Sequence, residues 1–464
     1  MDQDKAQYIK MTERPIGPLI GSLAIPTIVS MLVTSIYNMA DTFFVSKLGT
    51  SASGAVGIVF SLMAIIQSVG FTVGMGSGSW ISRLLGQKKN READSVASTG
   101  LCLALVLGLS LSIVGLSNLD GMMRVLGASS TILPYARDYA RFILLAAPVM
   151  SASFVLNNIL RAEGKAKFAM IGIGTGGILN IALDPLFIFV FDLGIAGAAI
   201  ATALSQSVSF LILLAVFLSG KTIVKIRLKA ISQKIRTYTS ILTYGLPSLS
   251  RQGLASISTI LLNTSAAVYG DAAVAAMAIT GKIFLFIFSI TLGIGQGYMP
   301  VLGYNYGAKK FDRVRKAFFF TYKINTLIIS VLALGGYFTA EALIRFFIAE
   351  DPQVIRIGSQ AFRYLCMSMP LISLGVVCNM TFQSIGKAWT ATMLATLRQG
   401  ICLIPLLLIL PRFIGLKGIQ LAQPGADLLT FLCCIPFTVH FFRHLDREKK
   451  KAALDGGLGT LQAE

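Results

Sequence analysis

The chain has 464 residues, of which 55% are hydrophobic and only 13% charged, with a mean hydropathy of +0.74. These proportions exclude a string of ordinary soluble domains and point to lipid as the solvent. The net charge of +19 does not imply a nucleic-acid partner, because the cations occupy short loops between apolar spans, not a patch with interleaved aromatics.

A helix needs about 20 apolar residues to cross a bilayer core. Such stretches recur along the whole length, and twelve spans are expected, near residues 17–47, 53–83, 95–116, 134–160, 168–190, 196–219, 239–268, 273–304, 317–340, 354–384, 390–411 and 418–442. Several approach thirty residues, which implies tilt or extension beyond the hydrocarbon. The N-terminus is charged and polar and the first span is too long for a leader, so no cleaved signal peptide is expected.

Basic clusters follow every second span: Arg83, Lys88, Lys89 and Arg91; Arg161, Lys165 and Lys167; Lys221 to Arg236; Lys309 to Lys316; and Arg443 to Lys451. The opposite loops carry scattered cations such as Arg124, Arg345, Arg412 and Lys417. The positive-inside rule then places both termini in the cytoplasm of a multi-pass protein of the cell (inner or plasma) membrane. The six cysteines lie in apolar spans without metal spacing and read as packing residues, and His440 and His444 sit together at one edge. No cofactor or resident metal is expected.

The chain repeats itself. Ala24-Ile25-Pro26 matches Gly245-Leu246-Pro247, Gly86-Gln87-Lys88-Lys89 matches Gly307-Ala308-Lys309-Lys310, and Gly194 and Gly197 match Gly415 and Gly418, each offset by 221. Pro148 answers Pro370, and Gly164-Lys165-Ala166 answers Gly386-Lys387-Ala388, offset by 222. Six spans per copy is an even number, so both copies enter the membrane in the same sense, related by an axis along its normal. The expectation is an all-α membrane protein of about twelve transmembrane helices in two parallel six-helix repeats around a central cavity. An N-lobe covers 1–219, a basic cytoplasmic linker 220–238, a C-lobe 239–442 and a cytoplasmic tail 443–464.

Two motifs mislead. Gly172 to Gly177 reads GIGTGG and satisfies the dinucleotide-binding pattern, but it lies inside a span, where close helix packing through small residues is the better reading. Gly220-Lys221-Thr222 ends like a phosphate-binding loop but lacks the upstream glycine, since Ala215 stands there. ATP is not expected as the direct energy source.

Ionisable groups inside spans are costly and default to functional candidates. In the first half these are Asp41 and Asp184. Asn180 and Asp184 are four apart and share a helix face, and Pro185 cannot donate to the carbonyl of Ile181, which frees that oxygen. Counted from the outer ends of their spans, Asp41, Tyr139, Asn180, Asp184 and Thr202 all lie at about 8–16 Å depth. Two carboxylates, an amide, a phenol and a hydroxyl at one depth suit a hard cation or a proton. Each residue also has a structural alternative: Asp184 bracing the proline kink, Asp41 reaching the interface, Tyr139 and Thr202 packing.

The stretches NMADTFFVSKLG at 38–49, GQKKNREA at 86–93, LRAEGKAK at 160–167 and NIALDPLFIF at 180–189 resemble the multidrug and toxic compound extrusion (MATE) transporters, especially their prokaryotic multidrug-efflux branch. The resemblance extends from about residue 12 to 445. It implies an antiporter that exports amphiphilic organic cations, drugs and toxic compounds by alternating access, using inward H⁺ or Na⁺. It also implies an N-lobe ion site on Asp41, Asn180, Asp184 and Thr202 with Tyr139 in its network, and a proline hinge at Pro26; Pro185 is the second candidate hinge. Some family members carry further acidic residues in the second half, where this chain offers Arg251 and Lys282; Asp427, with Arg251, Lys282 or Arg398, reads as part of a structural ion pair.

Tyr37, Asn38, Met39, Phe154, Asn157, Met277, Phe284 and Phe288 are candidates for the substrate cavity, since aromatics, methionines and amides suit flat hydrophobic cations. The expected partners are small-molecule cationic substrates and the lipid bilayer, with no nucleic acid, and the expected state is a monomer. A flippase for a lipid-linked precursor is the alternative, disfavoured because the intramembrane cations are confined to one half. An enzyme is not expected, because no nucleophile stands with a base or metal.

Overall fold

In lipid every backbone N–H and C=O must find a partner within the protein, and an unbroken helix does this within one segment. The computed structural model describes residues 3–348 and 351–461, and among these every regular element is helical. In chain order they are α1 (Gln3–Glu13), α2 (Ile16–Ser46), α3 (Thr50–Gly86), α4 (Asn90–Ser117), α5 (Leu119–Val125), α6 (Leu133–Ala162), α7 (Ala166–Pro185) and α8 (Gly194–Leu218). Then come α9 (Ile235–Ala267), α10 (Asp271–Gly307), α11 (Phe311–Phe347), α12 (Pro352–Ser384), α13 (Ala388–Thr396), α14 (Leu403–Ile414) and α15 (Leu416–Leu461). Wider, i to i+5 helical turns continue α7 over Leu186–Val190 and join α13 to α14 over Leu397–Cys402.

Among the described residues eleven stretches are long and apolar enough to cross a membrane, and the protein is a multi-pass membrane protein. The seventh expected span, 239–268, forms the continuous helix α9 but is not among the eleven. Arg251, Gln252, Asn263 and a run of hydroxyl side chains dilute its apolar character. At 37 residues each, α3, α10 and α11 run well past a bilayer core, reaching about 55 Å against about 30 Å of hydrocarbon.

The chain forms two compact units, one built on Ser22–Leu249 with the residues up to Gln7, the other on Ser250 onward with Tyr8–Gly21. In the first, α6 lies at the centre against α3, α4 and α8; in the second, α12 lies against α10, α11 and α15. These two helices are repeat counterparts, and both are mostly buried along their spans.

The repeat extends to backbone detail. Lys88 and Lys309 end α3 and α10 with φ of 60° and 56°, and Gly164 and Gly386 turn the chain at 82° and 85°. Asn157 donates from α6 to the Ala169 carbonyl at 2.9 Å, and Asn379 from α12 to the Ala391 carbonyl at 2.6 Å.

The basic stretch after α8 is fastened to the first unit through its backbone. Glu163 Oε2 accepts from the amides of Ile223 (2.8 Å) and Val224 (3.2 Å), Asp94 from Lys225 (2.7 Å), Ser98 from Arg227 (3.0 Å) and Thr99 from Ser232 (2.9 Å). Glu163 is fully buried, and its own carbonyl accepts from Gln7. Burial raises its carboxyl from 4.5 to about 7, against the opposing pull of Lys165 and the two amides. Because the docked state prefers the protonated acid, docking of 222–225 is strongest below about 4.5, weakens as pH rises, and levels off above about 7. Amide hydrogen exchange at Ile223 and Val224, corrected for intrinsic rates, should therefore show falling protection across that window, and Glu163→Gln should flatten it.

Candidate functional site

Four helices of the first unit bring the five polar candidates together. Asp41 comes from α2, Tyr139 from α6, Asn180 and Asp184 from α7, and Thr202 from α8, each less than a tenth exposed. Tyr139 Oη donates to Asp41 Oδ2 at 3.2 Å. Asn180 Nδ2 donates to Asp184 Oδ1 at 3.3 Å and to Thr202 Oγ1 at 3.2 Å. The charges of Asp41 and Asp184 act on one another, and Tyr139 lies within range of both.

The run of small residues in α7 makes this convergence possible. A Cβ on Gly176 would stand 2.9 Å from Ser209 on α8, and one on Gly177 would stand 2.6 Å from Val33 and 3.2 Å from Tyr37 on α2. The GIGTGG motif is therefore a packing surface that seats α7 against its neighbours on both sides. Past Asp184, Pro185 has no N–H, so the carbonyl of Ile181 loses its helical donor. The chain leaves ordinary helical spacing there, with Phe191 bonding back to Leu186 (3.0 Å) and Leu193 to Phe187 (3.1 Å). Gly197 lets α8 lie on this turn, since a Cβ there would come within 2.6 Å of the Phe187 carbonyl oxygen. That contact sets the start of α8, five residues before Thr202.

Three oxygens of the cluster, Asp41 Oδ1, Asn180 Oδ1 and Asp184 Oδ2, are buried without a hydrogen-bond partner among the described residues. All three are acceptors, and two belong to carboxylates. Buried acceptors in this number are compensated by protons or a cation; sodium and hydronium both suit an all-oxygen donor set.

The remaining candidates fall into different settings. Pro26 is buried within α2, about 22 Å along the helix from Asp41. Tyr37, one turn before Asp41, is buried and within range of its charge. Asn38 is half-buried and Met39 is 50% exposed. Phe154 packs against Phe71 with centroids 4.9 Å apart. Asn157 is committed to the Ala169 carbonyl, which fixes its amide inside the unit. In the second unit Met277 is buried, while Phe284 and Phe288 stack on each other and lie under the Arg398 guanidinium.

Asp427 is saturated, accepting from Arg398 Nε (2.7 Å), Gln423 Nε2 (3.0 Å) and Ser368 Oγ (3.0 Å). Arg398 is thus its ion-pair partner; Arg251 instead reaches Asn379 Oδ1 at 3.4 Å, and Lys282 is exposed. Which of the three cations pairs with Asp427 depends on packing and is not encoded locally. Gln206, the repeat position of Asp427, bonds Tyr37 beside the polar cluster; its place opposite an acidic residue was the only sequence signal for it.

Tyr139→Phe fills the same space but leaves Asp41 Oδ2 without its donor. It should lower the stability of the purified protein by roughly 1–3 kcal/mol, read as a fall in thermal midpoint that Tyr139→Phe combined with Asp41→Asn does not deepen.

Comparison with known proteins places these features in a family. The MatE family model matches residues 26–186 and 247–409, one segment in each repeat. The multidrug export protein MepA of Staphylococcus aureus is 28% identical over 422 residues, covering 90% of this chain and 92% of that one. A solved structure of a multidrug resistance MATE family transporter of the MOP superfamily, in an outward-facing conformation, matches with a TM-score of 0.90 at 28% identity, over 95% of this chain and 98% of the other. A crystal structure of MATE in the bent conformation matches with a TM-score of 0.89 at 28% identity, over 98% and 99%.

Proposed function

The chain belongs to the MatE family of multidrug efflux transporters, and from that premise we propose that it is a cation-coupled antiporter. It exports amphiphilic organic cations from the cytoplasm across the cell membrane by alternating access, with both termini cytoplasmic and inward H⁺ or Na⁺ as the driving ion. The observation that carries this reading is the trio of buried, unpartnered oxygens on Asp41, Asn180 and Asp184.

Each residue has a distinct part. Asp41 and Asp184 supply the negative charge that takes the ion, and the Asn180 carbonyl oxygen offers a third ligand. Tyr139 and Thr202 orient the set, through Asp41 and Asn180 respectively. Pro185, adjacent to Asp184 and followed by a non-standard helical turn, is where a change in ion occupancy passes to the backbone. Pro26 gives α2 a second point of bending. The ion binds one conformation better than the other and the organic cation does the reverse, so exchange needs no contact between them, only opposite bias on one two-state element.

Asp41→Asn or Asp184→Asn should reduce efflux of an ethidium-class dye from cells by at least about tenfold, equivalent to about 1.4 kcal/mol of lost coupling. In everted vesicles an inside-acid gradient or an inside-high Na⁺ gradient should drive dye into the lumen, and the gradient that works identifies the ion. Unchanged efflux in both variants, or dye movement under neither gradient, would rule out the proposed coupling.

A further inference from the structure

The second unit contains a cavity of about 90 Å³ that the ion-coupling reading does not use. Its wall combines Arg251, Arg398 and Asp427 with Phe288, Val376 and Met380. The charged residues lie deep in their helices: 251 − 235 = 16, 398 − 388 = 10 and 427 − 416 = 11 residues from the nearer end. That is about 15 Å or more from each helix end, where a charge without compensation is expensive.

The charges on this wall do not balance. Two guanidiniums face one carboxylate, which leaves 2 − 1 = +1. Asp427 cannot absorb the excess, because both its oxygens are occupied by Arg398, Gln423 and Ser368. Arg251 reaches only the neutral amide oxygen of Asn379, at 3.4 Å. Arg398 has Nη2 buried without a partner among the described residues. Its guanidinium lies 4.9 Å from the Phe288 centroid and 5.2 Å from that of Phe284. These rings, together with the bond from Nε to Asp427, hold the fork in one orientation.

We propose that this cavity binds the carboxylate or sulfonate head of an organic anion, with its apolar body against Phe288, Val376 and Met380. Guanidinium forks match oxyanion geometry, and the excess charge and unpartnered donor are what such a head would satisfy. The volume equals about three waters, enough for an oxyanion and the first atoms of its body, too little for a phosphodiester with its glycerol. The site extends the range of ligands from cations to organic anions and zwitterions, and it stands apart from the Asp41–Asp184 cluster.

The probe is ethanesulfonate, titrated calorimetrically into the purified full-length protein, with ethanol as the uncharged body and sodium sulfate as the bare head. The expected result is one sulfonate site, bound at least about tenfold more tightly than either control. Arg251→Gln should weaken it by roughly tenfold, Arg251→Lys, which keeps the charge but not the fork, should weaken it less, and Asp427→Asn should tighten it by removing the competing charge. A thermal melt of each variant identifies any that fails to fold, and Arg251→Gln against Arg251→Lys then carries the test. Equal binding of sulfonate and alcohol, or equal loss in Arg251→Gln and Arg251→Lys, would overturn the proposal.

Discussion

A charge inside a lipid-embedded helix bundle must be compensated, and the protein meets that constraint in opposite ways in its two units. Asp427 has three donors, one a guanidinium at 2.7 Å, and its local charge is fixed by protein alone. Asp41 and Asp184 have one neutral donor each and share three unpartnered oxygens with Asn180. Removing one partner of a buried pair costs far more than the pair contributes. A carboxylate cluster built without a cationic side chain is what the proposed coupling ion balances.

The scaffold that allows this is made of small residues and one proline. Gly176, Gly177 and Gly197 remove side chains where α7, its terminal turn and α8 approach most closely. Pro185 removes a hydrogen bond at the residue after the carboxylate. Tight packing on three sides positions the cluster, and the backbone break at one end is where the proposed mechanism lets it move. Packing alone would make Asp184 a static brace, and the break alone would leave its geometry undefined.

Much of this was legible in the sequence because the physics is local or periodic. Apolar length identified the membrane spans, the 221-residue offset exposed the repeat, and common depth singled out the five polar residues that the fold brings together. The pairings within that set were not legible, because Tyr139 and Asp41 are 98 residues apart and their contact depends on how α6 and α2 pack. Helix α9 was counted with the other spans although its polar composition sets it apart from the eleven. Helices α1 and α5 are not legible, since hydropathy is silent on helices too short to span. The excess guanidinium in the second unit was out of reach too: it emerges only once Asp427 is seen to be satisfied by Arg398 and not by Arg251.

The repeat shows how one backbone plan came to carry opposite chemistry. Both fifth spans interrupt the regular helix with wider turns, but at different registers. In the first unit the interruption is Leu186–Val190, directly after Pro185. In the second it is Leu397–Cys402, ahead of Pro405, and 397 − 221 = 176 maps its start onto Gly176. The shift of about three helical turns in the span places the carboxylate Asp184 beside the first break and the cation Arg398 within the second. Where Gly177 approaches Val33 in the first unit, Gly400 approaches Leu254, the repeat position of Val33 (33 + 221 = 254), in the second; a Cβ on Gly400 would stand 2.9 Å from Leu254. The close packing of the fifth span on the first is therefore kept in both units. Arg398, two residues before Gly400, lines the cavity with Arg251 and Asp427.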